Sequence, residues 1–168
     1  VDGVLTDNAV FLGNVDGNRV EFKRFDIQDG LGIGIARTAG IPVFWLSGRH
    51  SEATTLRGEE LRIEEILQVP GAAKLGPMED LLVRHKLEWE NIAFIGDDLA
   101  DLPVMRRVGL PIAVANAVDE IKECSAYVTR RAGGFGAVRE AIEVILKARG
   151  EWSACIHRFM RQRGDAGD

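Results

Sequence analysis

Cysteine is scarce: Cys124 and Cys155 are the only two, and they share no C-x-x-C spacing, which excludes a disulfide framework and a thiolate zinc site. A basic excess is missing too. Lys and Arg total 21 against 26 Asp and Glu, a net charge of −5, so the electrostatic footprint that phosphate backbones require is absent and no nucleic acid is expected as a partner. No run approaches the ~18 apolar residues of a membrane span, and no charged region followed by an apolar one opens the sequence. No membrane partner is expected, and a cytoplasmic location is the reading. His50, His85 and His157 share no ligand spacing, and neither a nucleophile elbow nor a Walker loop occurs. The run Asp29 to Gly34 (DGLGIG) has the wrong spacing for a dinucleotide fingerprint and does not follow a buried strand.

What is present fits one domain: 168 residues, 46% apolar and 28% charged, enough for a core without covalent or metal staples. From about Gly30 onward, short apolar runs alternate with amphipathic stretches. The pattern predicts strands at 41–46, 65–69, 92–95, 111–115 and 126–129, with helices at 29–38, 52–60, 75–85, 99–108, 118–124 and 137–148. The expected fold class is α/β: a Rossmann-like open parallel sheet with helices on both faces. Residues 9–25 read differently, as two alternating runs around Asn14 to Asn18, and predict a β-hairpin standing over the carboxyl ends of the strands. Residues 1–150 are read as one domain, and 151–168 as a half-ordered tail open to a partner subunit.

Candidate chemistry collects at predicted strand ends. Asp97 and Asp98 follow the run ending in Ile95-Gly96. Adjacent carboxylates there call for a cation or for donors, and oxygen ligands without His or Cys suit Mg²⁺. One Asp suffices to cap a helix beginning at Leu99, so Asp97 is assigned to metal, and Asp98 stays open between a cap and a supporting ligand. Asp2 and Asp7 lie in VDGVLTD, where Gly3 permits a close backbone approach. Ser47, Gly48 and Arg49 end another strand with a hydroxyl, an open backbone N–H and a guanidinium, a set suited to a phosphate oxygen. Lys74 stands at a helix start, where the helix dipole disfavours a cation, and so points to an anion nearby.

Taken in order, VDGVLTD, WLSGR, Lys74 and IGDDLADLPVM resemble the four motifs of the haloacid dehalogenase superfamily of phosphotransferases. The resemblance extends to QDGLGI and GGFGAVRE and is closest to the 3-deoxy-D-manno-octulosonate 8-phosphate phosphatases. It implies a hairpin flap in place of a cap domain and a Mg²⁺-dependent phosphomonoesterase working through an aspartyl-phosphate. The implied substrate is the octulosonate 8-phosphate of lipopolysaccharide biosynthesis. Asp2 matches the acid that protonates the leaving oxygen and later activates water, which puts the nucleophile, and the strand carrying it, at positions before Val1. A polypeptide beginning at Val1 is then expected to bind phosphate weakly and turn over essentially nothing.

The same resemblance assigns Asp2, through its carbonyl, and Asp97 to the metal, and Ser47, Gly48 and Lys74 to the phosphoryl oxygens. Asp26, Gln28, Asp29, Gly30, Arg49, Arg57 and Asp98 are assigned to the substrate side. Relatives usually carry basic residues where Gln28 and Gly34 stand, which leaves Arg49 and Arg57 to hold the sugar carboxylate and keeps two alternatives open. One is a phosphatase of a nine-carbon sialic-type acid 9-phosphate; the other is a non-catalytic phosphatase-like module that tetramerises a cytidylyltransferase. A homotetramer is also implied, with Phe11, Val20 and Phe22 at its interface and residues 133–139 near a neighbour's pocket.

Overall fold

The computed structural model describes residues 1–164. A two-stranded antiparallel hairpin, β1 (Phe11–Val15) and β2 (Asn18–Phe22), comes first and, among the described residues, pairs with no other strand. Then follow α1 (Ile27–Thr38), β3 (Phe44–Ser47), α2 (Glu52–Glu60), β4 (Glu65–Gln68), α3 (Leu75–His85), β5 (Ala93–Gly96), α4 (Leu102–Met105), β6 (Leu110–Ala113), α5 (Asp119–Glu123), β7 (Tyr127–Val128), α6 (Ala137–Ala148) and α7 (Trp152–Arg161). The parallel strands form a pair, β3-β4, and a triplet, β5-β6-β7.

Both groups of strands bury residues on two faces, as the near-continuous apolar runs predict. Successive residues of a strand point to opposite sides, so Trp45 enters the core under α1, α5, α6 and α7, while its neighbour Leu46 enters a second cluster with Met78 and Leu82 of α3 and Val104 of α4. Val1, Phe94, Ile95, Ala113 and Val114 join Trp45 in the larger cluster. One core therefore spans both strand groups, an α/β fold.

Three expectations change. The strand read at 41–46 begins only at Phe44: the N–H of Ile41 returns to Ala36 O and closes α1, and Pro42 has no N–H to offer a ladder. The helix read at 99–108 divides into a 3₁₀ turn, Leu99–Asp101, and the short α4 with Pro103 in its first turn. The tail is not half-ordered where it is described. α7 lays Cys155 and Phe159 on α1 and α6, and Phe159 fills the space opposite Gly34, whose missing Cβ would stand 3.7 Å from the ring. Residues 165–168 of that tail lie outside the described residues.

Candidate active site

The carboxyl ends of β3 and β5, the start of α3 and the opening loop converge on one cavity of about 190 Å³ lined by Val1, Asp2, Ser47, Gly48, Arg49, Lys74, Asp97, Asp98 and Asp101, among others. Pockets that enclose a drug-sized ligand measure roughly 300–1,000 Å³. This one admits a phosphoryl group and an ion; an eight-carbon acid would extend beyond it.

The opening loop is a tight turn in which Val1 O accepts from the N–H groups of Leu5 and Val4. Gly3 adopts φ +75°, and a Cβ there would lie 1.9 Å from Asp97 Oδ2. The loop is thus laid directly on Asp97, which brings Asp2 and Asp97 to the same cavity. Burial raises the Asp97 pKa to about 6, with the neighbouring Asp101 adding to the rise.

Lys74 finds its anion within the chain. Its Nζ lies 2.5 Å from Asp101 Oδ1, and Asp101 Oδ2 accepts from the Asp97 N–H at 3.1 Å. Asp101 is 3% exposed. It was not singled out in the sequence, although its place four residues after Asp97 was the available signal. Asp98 accepts from the Leu99 N–H at 2.7 Å and so takes the capping role left open for it. Ser47 is buried, and its Oγ donates to Arg49 O at 3.1 Å, a bond that a phosphate oxygen would replace.

The substrate-side candidates are dispersed. Arg49 reaches the cavity, but its guanidinium is gripped by both oxygens of Glu21 from β2. That pairing, reinforced by Ser51, lowers the Glu21 pKa to about 2. Asp26 caps α1 through the Gln28 N–H at 2.7 Å. Gln28 accepts from Arg131 at 2.6 Å on the α1–α6 side. Asp29 is 1% exposed and accepts from the Arg139 N–H at the start of α6, with burial raising its pKa to about 6; it braces two helices and does not face the cavity. Gly30 packs against Arg57, whose guanidinium binds Glu60 at 2.7 Å. None of Asp26, Gln28, Asp29, Gly30 or Arg57 lines the cavity.

Among the described residues no three His, Cys, Asp or Glu side chains form a metal cluster. Asp97 and Asp2 nevertheless fit a hard dication as part of a donor set. They are oxygen ligands only, and the ionised Asp97 is disfavoured by burial and by Asp101 until a cation arrives. No helix is long and apolar enough to cross a membrane among the described residues.

Residues 39–142 match the family model of haloacid dehalogenase-like hydrolases. Over 151 residues, 90% of this chain and 78% of the relative, the sequence is 42% identical to the 3-deoxy-D-manno-octulosonate 8-phosphate phosphatase KdsC of Escherichia coli K12. The crystal structure of the 3-deoxy-D-manno-octulosonate 8-phosphate phosphatase from Moraxella catarrhalis, in complex with magnesium, phosphate and KDO, matches with a TM-score of 0.87 at 37% identity, over 95% of this chain and 89% of that one. The cobalt-bound deoxy-D-mannose-octulosonate 8-phosphate phosphatase from Haemophilus influenzae matches with a TM-score of 0.84 at 35% identity, over 95% and 92%.

Proposed function

We infer the chemistry of this cavity from one premise: the chain belongs to the haloacid dehalogenase-like hydrolases and, within them, to the 3-deoxy-D-manno-octulosonate 8-phosphate phosphatases. It is a phosphatase. Its substrate in this reading is 3-deoxy-D-manno-octulosonate 8-phosphate, supported by the phosphatases it is similar to and by the convergence of Asp2, Ser47, Lys74 and Asp97 on one small cavity, the observation that carries the proposal.

The attacking carboxylate belongs to the position preceding Val1. One observation supports this: β3 and β5 each lack a second strand neighbour among the described residues, which leaves room for a strand running into Val1. That carboxylate attacks phosphorus to give an aspartyl-phosphate, while Asp2 donates a proton to the departing sugar oxygen and then takes one from the water that releases phosphate. Ser47 Oγ, the Gly48 N–H and the Lys74 ammonium hold the phosphoryl oxygens. Asp101 keeps Lys74 aimed and, by accepting from the Asp97 N–H, fixes the turn that carries Asp97. Mg²⁺ held by Asp97 and the Asp2 carbonyl would neutralise charge developing on the phosphoryl oxygens.

A homotetramer in the cytoplasm completes the reading. Phe11, Val15 and Phe22, on one face of the hairpin, are all more than half exposed, an apolar strip suited to a second copy. The decisive experiment measures phosphate release by the protein extended through the residues preceding Val1, with and without EDTA, from the octulosonate 8-phosphate and from a nine-carbon sialic-type acid 9-phosphate. EDTA-sensitive turnover favouring the first is expected. Preference for the second moves the assignment to the nine-carbon acid, for which Gln28, engaged with Arg131 and carrying no charge, is the supporting feature. No turnover of either overturns the reading.

A further inference from the structure

Just past the end of β2, Lys23 reaches to the same side as Glu21, its Nζ 3.7 Å from Glu21 Oε1, with Phe22 between them 62% exposed. Glu21 takes Arg49 and Ser51. Lys23 goes deeper, its side chain being 0% exposed. Its Nζ donates to Asp2 Oδ1 at 2.6 Å and to Thr54 Oγ1 at 3.2 Å, and Glu21 Oε1 lies at 3.7 Å. An ammonium carries three donors and no acceptor, and burying it costs several kcal/mol unless each proton meets an oxygen. Here the oxygens come from the opening loop, from α2 and from the hairpin itself. Nothing in the fold demands a charge at this place, since an apolar chain of the same length would join the hairpin to α2.

Of these partners only Asp2 belongs to the reaction. The ammonium occupies Oδ1, whereas Oδ2 has no hydrogen-bond partner among the described residues and Asp2 lines the cavity. We propose that Lys23 is a positioning residue for Asp2: by holding Oδ1 it fixes the rotation of the carboxyl group and presents Oδ2 to the leaving oxygen. The inference rests on the acid role given to Asp2 above. In that step the P–O bond to the sugar breaks, the electron pair stays on the sugar oxygen, and the proton on Asp2 Oδ2 moves to it. Lys23 keeps its proton throughout.

The test compares two esters in the protein extended through the residues preceding Val1: the octulosonate 8-phosphate, whose alkoxide must be protonated as it leaves, and p-nitrophenyl phosphate, whose phenolate leaves without a proton. The readout is kcat/KM, which covers only the steps up to release of the alcohol. Lys23→Met is expected to lower kcat/KM for the sugar phosphate by about 10²-fold, the scale of a general acid or of a 1 Å misplacement, and for the aryl ester by less than about threefold. Lys23→Arg should recover part of the loss. Thr54→Val, which removes the second acceptor without touching Asp2, should move the ratio of the two esters in the same direction by a smaller factor, and it serves if Lys23→Met does not fold. Equal losses on both esters mean that Lys23 only supports the fold, and no loss on either means that Asp2 is aimed without it; each overturns the proposal while leaving the phosphatase reading intact. A parent protein that turns over neither ester removes Asp2's role and the proposal with it.

Discussion

Gly133→Ala isolates one contact on which the site geometry depends. A Cβ on Gly133 would stand 1.7 Å from Gly3 O, 2.5 Å from Gly3 C and 3.1 Å from Val4 Cα, all backbone atoms. Closest comfortable C···O contacts are about 3.3 Å, so one loop must retreat by about 1.5 Å. The 133–136 loop is pinned by Asn116 Oδ1 on the Gly133 N–H at 2.8 Å and by Val4 O on the Gly134 N–H at 3.0 Å. The strain therefore passes to the loop that carries Asp2. Overpacking costs about 1–3 kcal/mol of stability, a Tm drop of roughly 2–4 °C for each kcal/mol at this chain length. A 1 Å misplacement of reacting groups costs about 10²-fold in rate. Thermal melts and phosphate-release kcat/KM on the extended protein check both. Gly34→Ala is the control: its Cβ would make an ordinary 3.7 Å contact with Phe159, and replacing a mid-helix glycine should raise stability by about 0.5–1 kcal/mol. A Gly133→Ala protein with unchanged Tm, or one that loses stability at unchanged kcat/KM, refutes the link between this loop and Asp2.

Other substitutions test separate parts of the argument. Asp29 has a folded pKa of about 6, above its ordinary value near 3.8, so the stability tied to its protonated form is full below about pH 3.8 and disappears as pH rises through about 6. Asp29→Asn should gain on the wild type across that window by up to roughly 3 kcal/mol, of which about 1.4 kcal/mol falls between pH 5 and pH 7.5 and is read as the difference between their urea midpoints at those two values; a pH-independent difference refutes it. Lys74→Met leaves Asp101 buried and unpaired and should cost about 3–5 kcal/mol, whereas Lys74→Met with Asp101→Leu should regain most of the stability and none of the activity. Phe159→Ala should cost about 3–5 kcal/mol in equilibrium unfolding, and a cost under about 1 kcal/mol would mean that α7 does not dock on α1 as described.

The motif ends of the strands were legible because burial and chemistry there leave separate marks: apolar runs identify the strands, and the polar residues that follow them identify the cavity. Helices α2, α3 and α6 were read with their observed limits; in α3 and α6 amphipathic spacing and clear boundaries coincide. Two kinds of feature were not legible. The dual role of Asp101 depends on a turn whose 3₁₀ geometry brings a carboxylate back to the Asp97 N–H and out to Lys74; the four-residue spacing from Asp97 marks the first contact and leaves the second, to a residue 27 positions away, unmarked. Asp29, Gly30 and Arg57 are assigned to the substrate side by resemblance alone, and packing of α1 on α6 and α2, which no local pattern encodes, decides where they face. Nothing in the sequence marks Lys23; only the tertiary fold buries it.

A ribbon that pairs with no other strand owes its placement to the side chains it inserts, and this limits how its length can drift over evolution. At the tip, Asp16 and Gly17 turn with positive φ and a Cβ on Gly17 would meet nothing within 4 Å, so residues can be added or lost there at little cost. One residue inserted between Asn18 and Lys23 would instead reverse the alternation, turning Glu21 and Lys23 to the outside and the apolar side chains onto Asp2 and Arg49. Length variation among natural versions of this chain should therefore gather at the tip and spare the descending strand.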